Sequence, residues 1–163
     1  MRLRALTVLV VLLAVLIACR SQPSSAAGTR PQQKTTDRDL TIDESRGGHT
    51  LKRHVGRTDD QLRERLDHER NISAASTYTD RATAERAVGA AIASNQQKIQ
   101  RWMERGERRP NLVLDYNEPN DSIGRVMNRG ALGSVPCDHS IVVLRADGRS
   151  DYFVLTSNPE CKP

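Results

Sequence analysis

Near Pro110 the hydrophobic pattern of the chain changes period, and few architectures accommodate that change. Before it, Ala84, Ala87, Val88, Ala91, Ile92, Ile99, Trp102 and Met103 recur at steps of three and four residues, which puts them on one face of a helix. Asp80 or Thr79 can cap that helix, and the stretch from Gly106 to Pro110 ends it. After Pro110 the apolar residues fall in short β-rich runs at Leu112 to Tyr116, Ile123 to Met127, Ile141 to Arg145 and Tyr152 to Thr156. Asp147-Gly148 between the last two runs predicts a tight hairpin, because glycine tolerates the positive φ of primed turns. Helices followed by an antiparallel sheet make an α+β plan.

Upstream, Thr58-Asp59-Asp60-Gln61 has the form of a capping box, with Leu62 and Leu66 one turn apart behind it, so a helix is expected from about residue 59 to 70. Residues 72 to 78 are short, β-branched and small, and predict an extended connector. Trp102 ends an apolar stripe and is expected to pack in the core.

Not all of the 163 residues belong to this domain. Arg2 and Arg4 precede an apolar run from Ala5 to Ala18, long enough for the core of an export signal and too short to span a bilayer comfortably. Leu16-Ile17-Ala18-Cys19 resembles the lipobox of bacterial lipoproteins, in which the cysteine is diacylated and becomes the first residue. The expectation is a signal peptide over 1–18, a lipid on Cys19, and a location in the cell envelope, anchored to a bacterial membrane and facing the periplasm or the exterior. Residues 19–46 are rich in Ser, Gln, Thr, Pro and charge, and predict a flexible tether that holds the domain on the order of 30 Å from the membrane. One domain over 47–163 follows. Its two cysteines, Cys137 and Cys161, form an even pair that an oxidising compartment would join.

The formal charge of +5 is weak evidence for a polyanionic partner. Loss of Arg2 and Arg4 with the signal lowers the excess to +3, and from Gly47 onward 18 basic residues face 16 acidic ones. Any nucleic-acid site must be a local patch. The segment from Gly47 to Leu66 offers one, since it holds His49, His54, Lys52, Arg53, Arg57 and Arg65. Imidazole exchanges a proton near neutral pH and guanidinium pairs bidentately with phosphate, a combination suited to cleaving a phosphodiester without metal. Arg65 lies at the edge of the Leu62/Leu66 stripe, and its plain alternative is a solvated ion pair with Glu69 at i+4. Lys52 and Arg57 are candidate phosphate contacts. His68 and His139 have no metal-site spacing, and His139 is expected in a loop. The glycine-rich loops of nucleotide hydrolysis and the nucleophile elbow of acyl transfer are missing from the sequence.

From about Gly47 to Pro159 the chain resembles the ribonuclease-A-like toxin domain at the C-termini of bacterial contact-dependent growth-inhibition proteins. The matching residues are Gly47 to Leu51, His54-Val55-Gly56, Thr58, Arg65-Leu66, Ala75 to Tyr78, Ala84-Glu85, Trp102, Gly124-Arg125-Val126, Val142 to Leu144 and Leu155-Thr156. The resemblance implies a kidney-shaped α+β fold with an RNA cleft, a metal-independent endoribonuclease with no cofactor, and a possible cognate immunity protein. It also implies an active site of histidine, arginine, threonine and tyrosine, which falls on His54, Arg65 and Thr156, whereas Asn158 stands at the tyrosine position. His49 is then the candidate for the second proton carrier. Asn158 can still hydrogen-bond a phosphate but cannot match a phenol as an acid, so the alternative expectation is an envelope lipoprotein that binds RNA or a protein partner without turnover.

Overall fold

A computed structural model describes residues 37–106, 109–119, 121–148 and 150–161. The apolar run, Cys19 and most of the expected tether lie outside the described residues.

Three short helices open the fold: α1 (Leu40–Ser45), α2 (Thr50–His54) and α3 (Asp59–His68). The first corrects the expected domain boundary. Leu40 is fully buried in the main core and Asp43 is 1% exposed, so the tail of the segment assigned to the tether is part of the domain. Composition concealed this because Leu40 and Asp43 are scattered among exposed polar residues, and a single buried leucine leaves no periodicity. The Thr58 hydroxyl accepts from the Gln61 N–H and the Gln61 Oε1 accepts from the Thr58 N–H, the reciprocal pair of a capping box at the start of α3, as expected.

Next come β1 (Ala74–Tyr78), α4 (Arg81–Ser94), α5 (Gln96–Met103), β2 (Leu112–Asn117), β3 (Gly124–Asn128), β4 (Val135–Cys137), β5 (His139–Asp147) and β6 (Asp151–Pro159). The expected connector over 72–78 is mostly strand β1, buried from Ala75 to Tyr78 and paired antiparallel with β3. It lacks alternation because successive side chains are buried on both sides of the strand. The long helix expected to run to Met103 is two helices meeting at Asn95. There the Ser94 hydroxyl donates to Ala90 O and the Asn95 amide donates to Ala91 O, local bonds that compete with continued helix.

The strands form two three-stranded antiparallel sheets, in the orders β1-β3-β4 and β2-β5-β6. The main core lies between α4, α5 and the second sheet, and includes Val88, Trp102, Leu114, Val142, Leu144 and Val154. A smaller core of Leu62, Leu66, Ala75 and Met127 seats α3 on the first sheet. Trp102 is buried as expected, donates through Nε1 to Pro110 O and meets Tyr152 edge-on at 6.3 Å between ring centroids. Gly148 has φ +72° in the β5–β6 turn. Cys137 and Cys161 form a disulfide with a Cα–Cα distance of 5.1 Å, which ties the end of the chain to edge strand β4. Constraint of the unfolded chain by such a loop contributes about 3 kcal/mol.

Because Leu40 fills the main core, Leu40→Ala should lower unfolding stability by about 2–5 kcal/mol, read as a fall in the urea midpoint at unchanged slope. A domain that begins only at Gly47 would show no shift.

Candidate active site

α2 is five residues long and is held by its ends rather than by its own hydrogen bonds. At its start the His49 N–H donates to Leu155 O at 3.0 Å, and the Thr50 hydroxyl accepts from the Ser157 N–H at 2.9 Å, both on β6. At its far end Val55 makes a parallel bridge to Tyr78, and the Gly56 N–H donates to Tyr78 O on β1. The helix therefore spans from the second sheet to the first. Gly48 permits the approach, since a Cβ there would collide with Val154 O and lie 2.9 Å from Asp43 O.

His54 closes α2 with only 8% of its surface exposed. Its Nδ1 is 3.3 Å from Ser76 O; a carbonyl only accepts, so this contact assigns the proton to Nδ1 and leaves the lone pair on Nε2. Burial, reinforced by the positive charge of Arg65, lowers the His54 pKa to about 4, while the Ser76 carbonyl pulls weakly the other way. At neutral pH the ring is neutral and is a base. His49 is also pushed below its ordinary value, first by burial and then by Arg53 and Arg65, with Glu44 opposing. His49, His54 and Arg65 thus form one electrostatic cluster.

Arg65 reaches this cluster from α3, whose Leu62 and Leu66 are buried against the first sheet. Its Nε donates to Glu69 Oε1 at 3.3 Å, the surface pairing expected from the i+4 spacing. Its Nη1 nevertheless is buried with no hydrogen-bond partner. The Thr156 hydroxyl oxygen is in the same condition. A buried polar group left unpaired costs about 1–3 kcal/mol, which makes Arg65 Nη1 and the Thr156 hydroxyl candidates for bonding an oxygen-rich ligand.

A bulge sets the position of Thr156 in β6. Val143 pairs with Thr156 but Leu144 pairs with Val154, which leaves Leu155 as the extra residue, and its carbonyl is the one that accepts from His49. Asn158 lies two residues on, on the same face of β6 as Thr156, and its amide donates to Pro159 O at 3.2 Å. Lys52 and Arg57 line a groove of about 340 Å³ beside Arg65, together with Arg53, Gln61, Leu62 and Glu64. The Arg57 guanidinium donates to Lys52 O, so it is tied back onto α2. A separate cavity of about 420 Å³, lined by Arg38, Asp39, Ile42, Gly89 and Ile92 among others, contains none of these groups.

Sequence reasoning missed Ser76, Glu69 as an anchor for more than one arginine, and the burial of His139. His139 is not in a loop: it begins β5, is 1% exposed and has Nε2 3.3 Å from Asp115 Oδ1. Its strand position was hidden by Asp138 before it. Among the described residues, no group of three or more His, Cys, Asp and Glu side chains could hold a metal ion.

Since the folded state holds His54 neutral, the stability this confers is complete above the unfolded value near 6.5 and is lost as pH falls through about 4, a change on the order of 3 kcal/mol. The His54 imidazole proton resonances of the ligand-free protein should titrate with a midpoint near 4; a midpoint at the free-histidine value contradicts the buried, Arg65-facing geometry.

No relative is found among curated proteins. The crystal structure of the CdiA-CT/CdiI complex from Y. kristensenii 33638 contains a chain 33% identical to this one, with a TM-score of 0.62, over 69% of this chain and 99% of that chain. The family model described as the bacterial CdiA-CT RNAse A domain matches residues 48–159. The fold, the order of its elements and that match agree: the chain belongs to the bacterial CdiA-CT RNase A domain family, whose members are ribonuclease toxin domains.

Proposed function

We propose that this domain cleaves RNA by metal-independent transphosphorylation. The observation that carries the reading is a neutral buried imidazole, His54, within the field of Arg65, whose Nη1 is buried without a partner; Thr156, whose hydroxyl is also buried without a partner, lies between the two β6 residues that bond the start of α2. In this mechanism His54 Nε2 takes the proton of the ribose 2′-OH. The 2′-oxygen attacks phosphorus as the bond to the 5′-oxygen breaks, giving a 2′,3′-cyclic phosphate and a 5′-hydroxyl. Arg65 and Thr156 hold the non-bridging oxygens, where charge builds in the transition state. His49 is the candidate for giving the leaving 5′-oxygen its proton; because burial, Arg53 and Arg65 disfavour its charged form, this role requires the substrate's negative charge beside it to restore that form. The bound phosphate offsets the Arg65 charge that depresses His54, which raises its proton affinity at the moment it must act as a base. Lys52 and Arg57 contact the flanking backbone.

The export signal and the lipobox-like Leu16 to Cys19 support a lipoprotein held at the cell envelope through Cys19, with the enzyme on the far side of a membrane from the producing cell's RNA. The relative occurs in a complex with CdiI, which supports a toxin role and a cognate immunity protein for this chain.

A second reading is favoured by one residue. Asn158 replaces the tyrosine position, and its amide bonds to its neighbour's carbonyl, so a domain that binds RNA or a protein partner without turnover would keep the same pocket. The purified domain incubated with RNA in EDTA distinguishes the two. Cleavage that falls about 10²–10⁴-fold in His54→Ala supports the enzyme, whereas wild-type activity no higher than that of the variant refutes it. Thr156→Val should cost about 10-fold to 100-fold, as expected for one hydrogen bond to a charged group. Asn158→Tyr should raise the rate if the missing phenol limits turnover, and an unchanged rate means that His49 or another group already supplies the acid.

A further inference from the structure

Glu69 sits at the C-cap of α3, where the partial negative charge of the helix end disfavours a carboxylate. Its backbone is fixed by three bonds: its own N–H donates to Arg65 O, and its carbonyl accepts from the Ile72 N–H at 3.2 Å and from Arg129 Nη2 at 2.9 Å. The placement is locally unfavourable and structurally firm. What it accomplishes is to collect two guanidiniums on one oxygen: Glu69 Oε1 accepts from Arg65 Nε at 3.3 Å and from Arg53 Nη2 at 2.6 Å. Those two nitrogens are therefore no more than about 6 Å apart, the sum of the two contact lengths. That is on the scale of one phosphate-to-phosphate step along a single strand. Arg65 Nη1 is buried without a partner, whereas Arg53 lies on the rim with about half of its side chain exposed, lining the groove beside Arg65.

We propose that this groove is a second phosphate subsite, in which Arg53 binds the RNA phosphate next to the one being cleaved, and that Glu69 is the positioning residue that sets Arg53 and Arg65 one nucleotide apart. The inference rests on the ribonuclease reading and extends it to substrate length. Arg65 grips the scissile group and Arg53 the neighbour, so a substrate with a single phosphate leaves Arg53 unused. Glu64, which also lines the groove, repels backbone that strays from this path.

The test compares a dinucleoside monophosphate, with its single phosphate, to a six-nucleotide RNA, and measures binding of the 2′-deoxy hexanucleotide, which cannot be cleaved. Arg53→Gln should lose about tenfold more kcat/KM on the hexanucleotide than on the dinucleotide, mainly through KM, as expected for loss of one charge-assisted contact. The slope of log affinity against log salt for the 2′-deoxy hexanucleotide should fall by about 0.7, one phosphate on a single strand. Arg53→Lys should retain that slope, which separates lost charge from disturbed folding. Glu69→Gln should lower kcat on both substrates because Arg65 loses its anchor. Equal losses on the two substrates in Arg53→Gln, or an unchanged salt slope, overturn the proposal. Failure of the ribonuclease reading is distinguishable: neither RNA is then cut by wild type, while the 2′-deoxy hexanucleotide still binds with an Arg53-dependent slope.

Discussion

The seam between the N-terminal helices and strand β6 is the contact on which the rest of the molecule depends. β6 is the last strand of its sheet and presents an unpaired edge, which proteins must cover. Here the cover is the pair of short helices α1 and α2. Asp43 Oδ1 accepts from the Val154 N–H at 2.8 Å, Leu155 O accepts from His49, and Thr50 Oγ1 accepts from Ser157, so three successive stretches of the edge are satisfied from α1 and α2. Asp43 is a buried carboxylate, which is tolerable only because Arg38 pairs with both of its oxygens, at 2.7 and 2.8 Å. Removing either partner would leave an uncompensated charge at the root of the seam.

The site follows from that seam. One side of it carries His49 and His54, and the other carries Thr156 and Asn158 beyond the Leu155 bulge. The C-terminal end of α2 docks on β1 in the first sheet, where α3 and Arg65 are seated by a separate small core. His49, His54 and Arg65 therefore fall in one electrostatic cluster drawn from elements seated on both sheets, while Thr156 lies on the strand edge that the start of α2 covers. Burial there makes His54 a neutral base and leaves Arg65 and Thr156 with unspent hydrogen-bonding capacity, so one physical cause, exclusion of water, accounts for both properties.

Features governed by local chemistry were legible in the sequence. The Thr58 to Gln61 capping box, the Asp147-Gly148 turn and the change of period at Pro110 each depend on residues adjacent in the chain, and each is present. His54 and Arg65 were singled out by their residue types and by the family motif, and both lie in the cluster. Features governed by distant partners were not legible. Leu40 and Asp43 look like tether until β6 is folded against them, β1 looks like a connector until β3 pairs with it, and the bulge at Leu155 has no local signal. Glu69 was visible only as a surface partner of Arg65; its second bond, to Arg53, depends on how α2 and α3 are brought together.

In the proposed mechanism His54, Arg65 and Thr156 together receive a phosphate. Following the His54 imidazole by NMR across pH, with and without a saturating 2′-deoxy dinucleotide, tests it most directly. The bound phosphate should offset the Arg65 charge and move the midpoint upward from about 4 toward the free-histidine value. A midpoint that does not move while the dinucleotide is bound would place the phosphate elsewhere and contradict the site.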